Sequence, residues 1–308
     1  MLFEQSEIQE YIAEYLGIST EDSEAVLDAV AALHGLLIER AQGLWSFSHL
    51  TFQEYLTAKY IVDNQQIEQL VMQHFADKRW QEVFLLVAGL MQDCSRADEL
   101  LLLMEREAQK SINTINLYNL LRWADEVTTG SEGFFKPAAK RAAAIANAYN
   151  DVNGYANAIA MANAIPTAYG NTIVIDLTNN NAIPINPTSD LINDLTYRIN
   201  RACELEKLKI FNNINFTVLI AKLEALKVKV PDNQQPLKVF RVFRRNVQET
   251  WHDALNFNPE MVNLLEKEYE ALGNYLYVNY LMIQFKEVAV LVSTEIWEKI
   301  EARMLLVN

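Results

Sequence analysis

Apolar residues recur at three- and four-residue spacing through most of this sequence, the signature of amphipathic helices. Ser6-Glu7-Ile8-Gln9 has the Ser-x-x-Gln form of a capping box and predicts a helix running to about Leu16, where Gly17 stops it. A second helix is predicted from about Glu21 to His34. Its apolar face is Ala25, Val26, Ala29, Val30 and Leu33, and Gly35 follows as a stop. Then the period changes. Leu36–Arg40 and Leu44–Ser48 are short strand-like runs around Ala41-Gln42-Gly43, a hairpin signal with glycine at the turn. Two short helices followed by a hairpin make a winged-helix pattern, and a longer helix is expected from about Thr51 to Val62.

Helical periodicity then continues over 65–76, 79–92, 97–111 and 114–128, with breaks at Asp77-Lys78, Asp93–Arg96 and Ile112-Asn113. Connections this short imply antiparallel neighbours, as in a bundle or a stack of helix pairs. Thr129–Phe135, with Gly130 and Gly133, reads as a linker. Residues 137–165 are rich in Ala and Asn, and small residues permit close helix approach, so tightly packed short helices are expected there. Ile165–Thr188 reads as irregular, with Thr172–Leu177 a possible short strand. Helices resume over 189–211, 215–228, 237–254, 260–289 and 293–306.

The expected fold class is therefore mainly α. A small winged-helix unit with one β-hairpin over 1–50 is followed by a helical domain over 51–129, either a bundle or a helix-pair stack. An Ala/Asn-rich connecting region over 130–188 leads to a second, C-terminal helical domain over 189–308.

Composition narrows the function classes. An apolar fraction of 51% is ample for packed cores. The formal net charge is −14, which repels phosphate backbones. The acid concentrates at the start: residues 1–64 carry 11 Asp and Glu against Arg40 and Lys59, a net of −9. Cys94 and Cys203 make neither a disulfide framework nor metal-ligand spacing and read as thiols in a reducing compartment. With acidic residues at positions 4, 7 and 10, no signal peptide is expected here. Val152–Ile175 is free of charge but is interrupted by Asn, Gly and Pro, so it is too polar and broken to span lipid. A cytoplasmic location is expected, without a membrane partner.

One stretch carries a resemblance. His34-Gly35-Leu36-Leu37-Ile38-Glu39-Arg40, followed by Phe47-Ser48-His49-Leu50-Thr51-Phe52-Gln53-Glu54-Tyr55-Leu56-Thr57-Ala58, resembles the junction of winged-helix and helical domains in NACHT-family signalling NTPases. Arg79-Trp80-Gln81-Glu82-Val83-Phe84-Leu85-Leu86-Val87-Ala88-Gly89-Leu90 is similar to the next helical stretch of the bacterial members. These runs cover about the first 90 residues; the remainder resembles the family's variable helical regions in type alone.

The resemblance implies a switch in which an ADP-bound closed state is held partly by a winged-helix histidine on a nucleotide phosphate. The matching residue is His49, and imidazole suits that role as a compact donor able to carry charge near an anion. The plainer reading makes His49 a junction residue that caps or bonds locally. Phe47, Phe52, Tyr55 and Leu56 read as core positions, and Gln53 and Glu54 as facing solvent or a neighbouring domain.

No Gly-x-x-x-x-Gly-Lys-Ser/Thr loop exists in this sequence, and none of its nine glycines precedes a lysine. ATPase activity, with ADP or ATP and Mg as cofactors, is therefore expected only in a full-length parent, and no cofactor is expected in this chain. Because the winged-helix pattern starts almost at Met1, the chain reads as a truncated piece or a split gene product. Its expected partners are the missing nucleotide-binding domain and a further protein, in a regulatory region of an antiviral (anti-phage) signalling protein. The alternative is a free-standing helical scaffold that binds a protein or peptide.

Other constellations matter less. The second predicted helix carries Glu21, Asp22, Glu24 and Asp28 and no base, which argues against DNA reading by the winged helix. Lys238, Arg241, Arg244 and Arg245 form the one basic cluster. Spacings of three and four put Lys238, Arg241 and Arg245 on one face, as a surface for an anionic partner or as a solvated face paired with nearby carboxylates. Tyr269, Tyr275, Tyr277, Tyr280 and Phe285 read as a helical-core stripe, with an exposed groove as the alternative. His34, His74 and His252 lack metal-ligand spacing, and no nucleophile motif appears.

Overall fold

The structure, a computed structural model, describes residues 2–148, 156, 158–160, 186–258, 261, 264–289 and 291–307. The chain divides into two compact units, Met1–Ala97 with Val288–Leu291 and Asp98–Glu287 with Val292–Asn308. The expected strand at Thr172–Leu177 lies outside the described residues, as do most of the short helices expected between 149 and 165.

The first unit is a winged helix extended by further helices. Its elements are β1 (Phe3–Glu4), α1 (Gln5–Leu16), α2 (Thr20–Ala29), β2 (Leu37–Ala41), β3 (Leu44–Phe47), α3 (Leu50–Asp63), α4 (Ile67–His74) and α5 (Gln81–Leu90). A single wider π turn, Val30–His34, prolongs α2, and a tight 3-10 turn, Lys78–Trp80, leads into α5. The hairpin forms where the sequence places it. Gly43 takes the left-handed conformation (φ 70°) that the turn demands, and its N–H donates to the Glu39 carboxylate at 2.8 Å.

β1 is a strand the periodicity did not announce. It pairs antiparallel with β3, Phe3 opposite Trp45, so the sheet order is β1-β3-β2. This strand also corrects the capping-box reading. The Gln5 N–H donates to the Gly43 carbonyl at 2.9 Å, so the chain turns into α1 at Gln5 and Ser6 lies inside the helix. Glu4 stands at the cap without a side-chain bond. α2 is capped by Ser19, whose hydroxyl accepts from the Asp22 N–H at 3.1 Å. Leu27, Ala58, Val71, Phe84 and Val87 are fully buried, and α3 packs on α5.

The second unit is helical throughout its described length: α6 (Cys94–Gln109), α7 (Ile115–Thr128), α8 (Pro137–Ala148), α9 (Pro187–Leu208), α10 (Phe216–Lys227), α11 (Leu237–Ala254), α12 (Glu266–Val288) and α13 (Thr294–Arg303). α12 is its centre, burying Leu272, Tyr275, Leu276, Tyr277, Val278, Leu281, Met282 and Phe285 around most of its circumference. The tyrosines at 275 and 277 are therefore core, as the stripe predicted. α8 buries Ala138, Ala139, Ala142, Ala143 and Ala144, and such small side chains let it lie close to its neighbours, α7 among them.

Three polar clasps tie distant segments of this unit together. Arg141 on α8 is 3% exposed. It donates to the carbonyls of Met304 (3.0 Å) and Ala302 (2.8 Å) and to Asp125 (3.1 Å). The Asn147 side chain accepts from Arg201 Nε at 2.8 Å, while its backbone carbonyl accepts from Trp251 Nε1 at 3.0 Å, joining α8, α9 and α11. Glu105 accepts two bonds from Arg303, at 2.8 and 2.6 Å. The segment 129–135, read above as a linker, is laid against the turn after α9. There the Gly133 N–H donates to the Lys209 carbonyl at 2.9 Å, and a Cβ at position 133 would stand 2.6 Å from the Leu208 carbonyl oxygen. Among the described residues no helix is long and apolar enough to cross a membrane.

Candidate functional site

The wing ends at Phe47, and the Ser48 N–H closes it by donating to the Leu36 carbonyl at 2.8 Å. His49 follows in extended conformation (φ −133°, ψ 141°) as the residue before the first turn of α3. Its carbonyl accepts from the Phe52 N–H at 3.2 Å, but its imidazole makes no capping bond. Instead the exposed ring meets Phe52 edge-on, with centroids 5.8 Å apart at 71°. The junction thus leaves the imidazole facing solvent beside the N-terminal end of α3, whose dipole favours an anion.

Next to His49 the expected core positions divide, and this corrects the sequence reading. Phe47 is half-buried and packs edge-on with Phe3 at 6.2 Å, whereas Phe52, Tyr55 and Leu56 are exposed. The reason is geometric. α3 spends Ala58 and Ile61 on its buried side, and a helix with apolar residues on more than one face cannot bury them all in one contact. Leu50 (65% exposed) and Tyr60 (56% exposed) extend the series, so Phe52, Tyr55, Leu56 and Tyr60 form an apolar face at three- and four-residue spacing that starts beside His49. Glu54 is half-buried, and its carboxyl is held above the usual range by burial and then by the Glu82 carboxylate.

In the second unit Lys238, Arg241 and Arg245 lie exposed on α11, on one face as predicted. Arg244 departs from them. It is half-buried toward the α9 carboxylates Asp190 and Asp194, whose attraction only partly offsets the lowering of its pKa by burial. The opposite face of α11 supplies Phe240, Phe243, Val247 and Trp251 to the core. Among the described residues, no group of three or more His, Cys, Asp or Glu is placed to hold a metal ion. His252 is buried, and burial lowers its pKa.

A three-stranded sheet with flanking helices, joined in sequence to an α-helical unit, defines a winged-helix class of fold. The particular family follows from two matches. Residues 4–61 match the winged helix-turn-helix domain C-terminal to NACHT, and residues 219–307 match NACHT C-terminal helical domain 2. Together the two matches support a C-terminal NACHT region. The second match extends the resemblance over α11, α12 and α13, well beyond the first 90 residues where sequence reasoning found it. Both matched domains are non-catalytic. No curated protein and no solved structure matches the chain.

Proposed function

We propose that this chain is the regulatory and interaction region of a NACHT-type signalling NTPase, and that the α3 end of its winged helix docks on the nucleotide-bearing domain. One observation carries the reading: an exposed apolar face, Phe52, Tyr55, Leu56 and Tyr60, begins beside His49. Apolar area of this kind is stabilised by covering it. A domain seated there would bring its nucleotide toward the imidazole and the first N–H groups of α3, where a phosphate is favoured.

The residues of this chain fit such a group only in part. With no phosphate loop in the sequence, His49 and the α3 N-terminus are what the chain offers to ADP, and the nucleotide-binding domain supplies the remainder. The family resemblance further supports a parent that acts in defence against phage.

The test is calorimetry with ADP on the polypeptide that includes the NACHT domain. His49→Ala should weaken ADP binding about tenfold or more, since a hydrogen bond to a charged group is worth about 1.5–3 kcal/mol. Tyr55→Lys should loosen the closed state in the same direction. Unchanged ADP affinity in both variants overturns the proposal. This chain alone should neither bind nor hydrolyse ADP or ATP.

A further inference from the structure

Two helix faces of this chain mirror one another in position and oppose one another in charge. On α1, Glu7, Glu10 and Glu14 are exposed at i, i+3 and i+7, and the exposed Tyr11 stands at i+4. On α11, Lys238, Arg241 and Arg245 are exposed at i, i+3 and i+7, and the exposed Val242 stands at i+4. At 3.6 residues per turn each triad forms one stripe about 10 Å long, with its apolar residue on the same flank. Among the described residues no ion pair forms to any of the six charges. Tyr15, 88% exposed, and the exposed Val239 widen the two apolar borders.

A stripe of unpaired carboxylates explains little of the fold of the first unit, because α1 contributes no buried residue of its own. The basic stripe likewise stands opposite the core face of α11. Nucleic acid is the obvious occupant for three cations on a helix. The chain as a whole opposes it, with a net charge of −14 and no second basic cluster beside the first. The acidic stripe of another copy fits better. It matches the cations three for three at the same spacing, and it presents an aromatic residue where the basic face presents valine.

We infer that this region self-associates, the α1 stripe Glu7/Glu10/Glu14 of one copy docking on the α11 stripe Lys238/Arg241/Arg245 of another. Because the two patches differ, the contact is heterologous and propagates from copy to copy unless a symmetric arrangement closes it. Its area is that of one helix on another, so the association is weak and falls with salt.

The experiment is sedimentation equilibrium of the full chain across the micromolar range, at low and at high salt. The wild type should show a mass that rises with concentration and falls back in high salt. The triple variant K238E/R241E/R245E, and separately E7K/E10K/E14K, should each weaken association at least about tenfold, since like charges then face each other. Mixing the two variants, or combining all six changes in one chain, should restore it. All six positions are exposed, and far-ultraviolet circular dichroism checks that each variant stays folded. A mass that remains that of one chain at every concentration overturns the inference. So does association that either triple variant leaves intact, or loss that the six-fold variant fails to rescue. Binding of a fluorescent duplex or single strand that requires Lys238, Arg241 and Arg245, without self-association, assigns the stripe to nucleic acid and overturns it equally.

Discussion

Replacing Arg141 by methionine keeps most of the side-chain volume and removes the guanidinium that holds the C-terminal end of α13. In the native unit this group is 3% exposed and makes three bonds, to Met304 O at 3.0 Å, Ala302 O at 2.8 Å and Asp125 Oδ1 at 3.1 Å. Asp125 keeps 35% of its side chain in water, so its carboxylate rehydrates at little cost after the change. The two carbonyls lose charge-assisted donors beside a buried methionine. At about 1.5–3 kcal/mol per such bond, reduced by whatever water reaches them, the net loss is about 3 kcal/mol. A unit of this size loses about 2–4 °C in Tm for each kcal/mol, so the melting temperature should fall by about 6–12 °C. Differential scanning calorimetry reads this directly, with urea titration as a second measure of stability. Amide exchange should show α13 opening before α12. A transition for Arg141→Met within a degree or two of the wild type would mean that the clasp contributes nothing net and would refute the reasoning. Asp125→Ala leaves the buried guanidinium without this carboxylate and should also destabilise the unit, by about 1–3 kcal/mol.

Three further outcomes follow from features described above. Gly133→Ala places a methyl 2.6 Å from the Leu208 carbonyl oxygen, which is backbone and cannot swing aside, so it should destabilise the second unit by about 1–3 kcal/mol in urea titration. Trp251→Phe leaves the buried Asn147 carbonyl without its 3.0 Å donor and should cost about 1–3 kcal/mol by the same measurement. Burial holds the His252 pKa below its unfolded value of about 6.5, so the fold favours the neutral ring; that stability is complete above pH 6.5 and is lost as pH falls toward the lower folded value. Melting temperature should therefore decline on acidification from pH 7.5 to 5.5, less steeply in His252→Gln, and equal slopes for the two proteins would count against the assignment.

Much of the helical plan was legible because period and punctuation agree. Gly17, Gly35 and Gly43 mark ends and turn where the chain takes positive φ, and α11 begins and ends at the residues its pattern named. β1 was not legible, since two residues carry no period and their pairing partner lies some 40 residues on. The face of α3 was misread for a different reason. Phe52, Tyr55 and Leu56 look like core to any scale of hydrophobicity, and only packing reveals that α3 turns them away from Ala58 and Ile61. That error is informative, because an apolar face left uncovered carries the functional reading. Arg244 was grouped with its neighbours by sequence proximity, yet one residue along a helix is a rotation of about 100°, enough to point it at Asp190 and Asp194. The second family stretch, 219–307, lacks a local motif of the kind that surrounds His49.

The clasps on α13 have a consequence for how the protein is made. Glu105 waits for Arg303, 198 residues later, and Arg141 waits for the carbonyl of Met304, 163 residues later. On a ribosome, α6, α7 and α8 emerge long before α12 and α13, to which they are hydrogen-bonded, and contacts of such separation form late. The second unit therefore reaches its finished state only once α13 has emerged. Until then its alanine- and leucine-rich faces stay open, which marks this half as a client for chaperones, while the winged-helix sheet, paired wholly within Phe3–Phe47, can form as it appears.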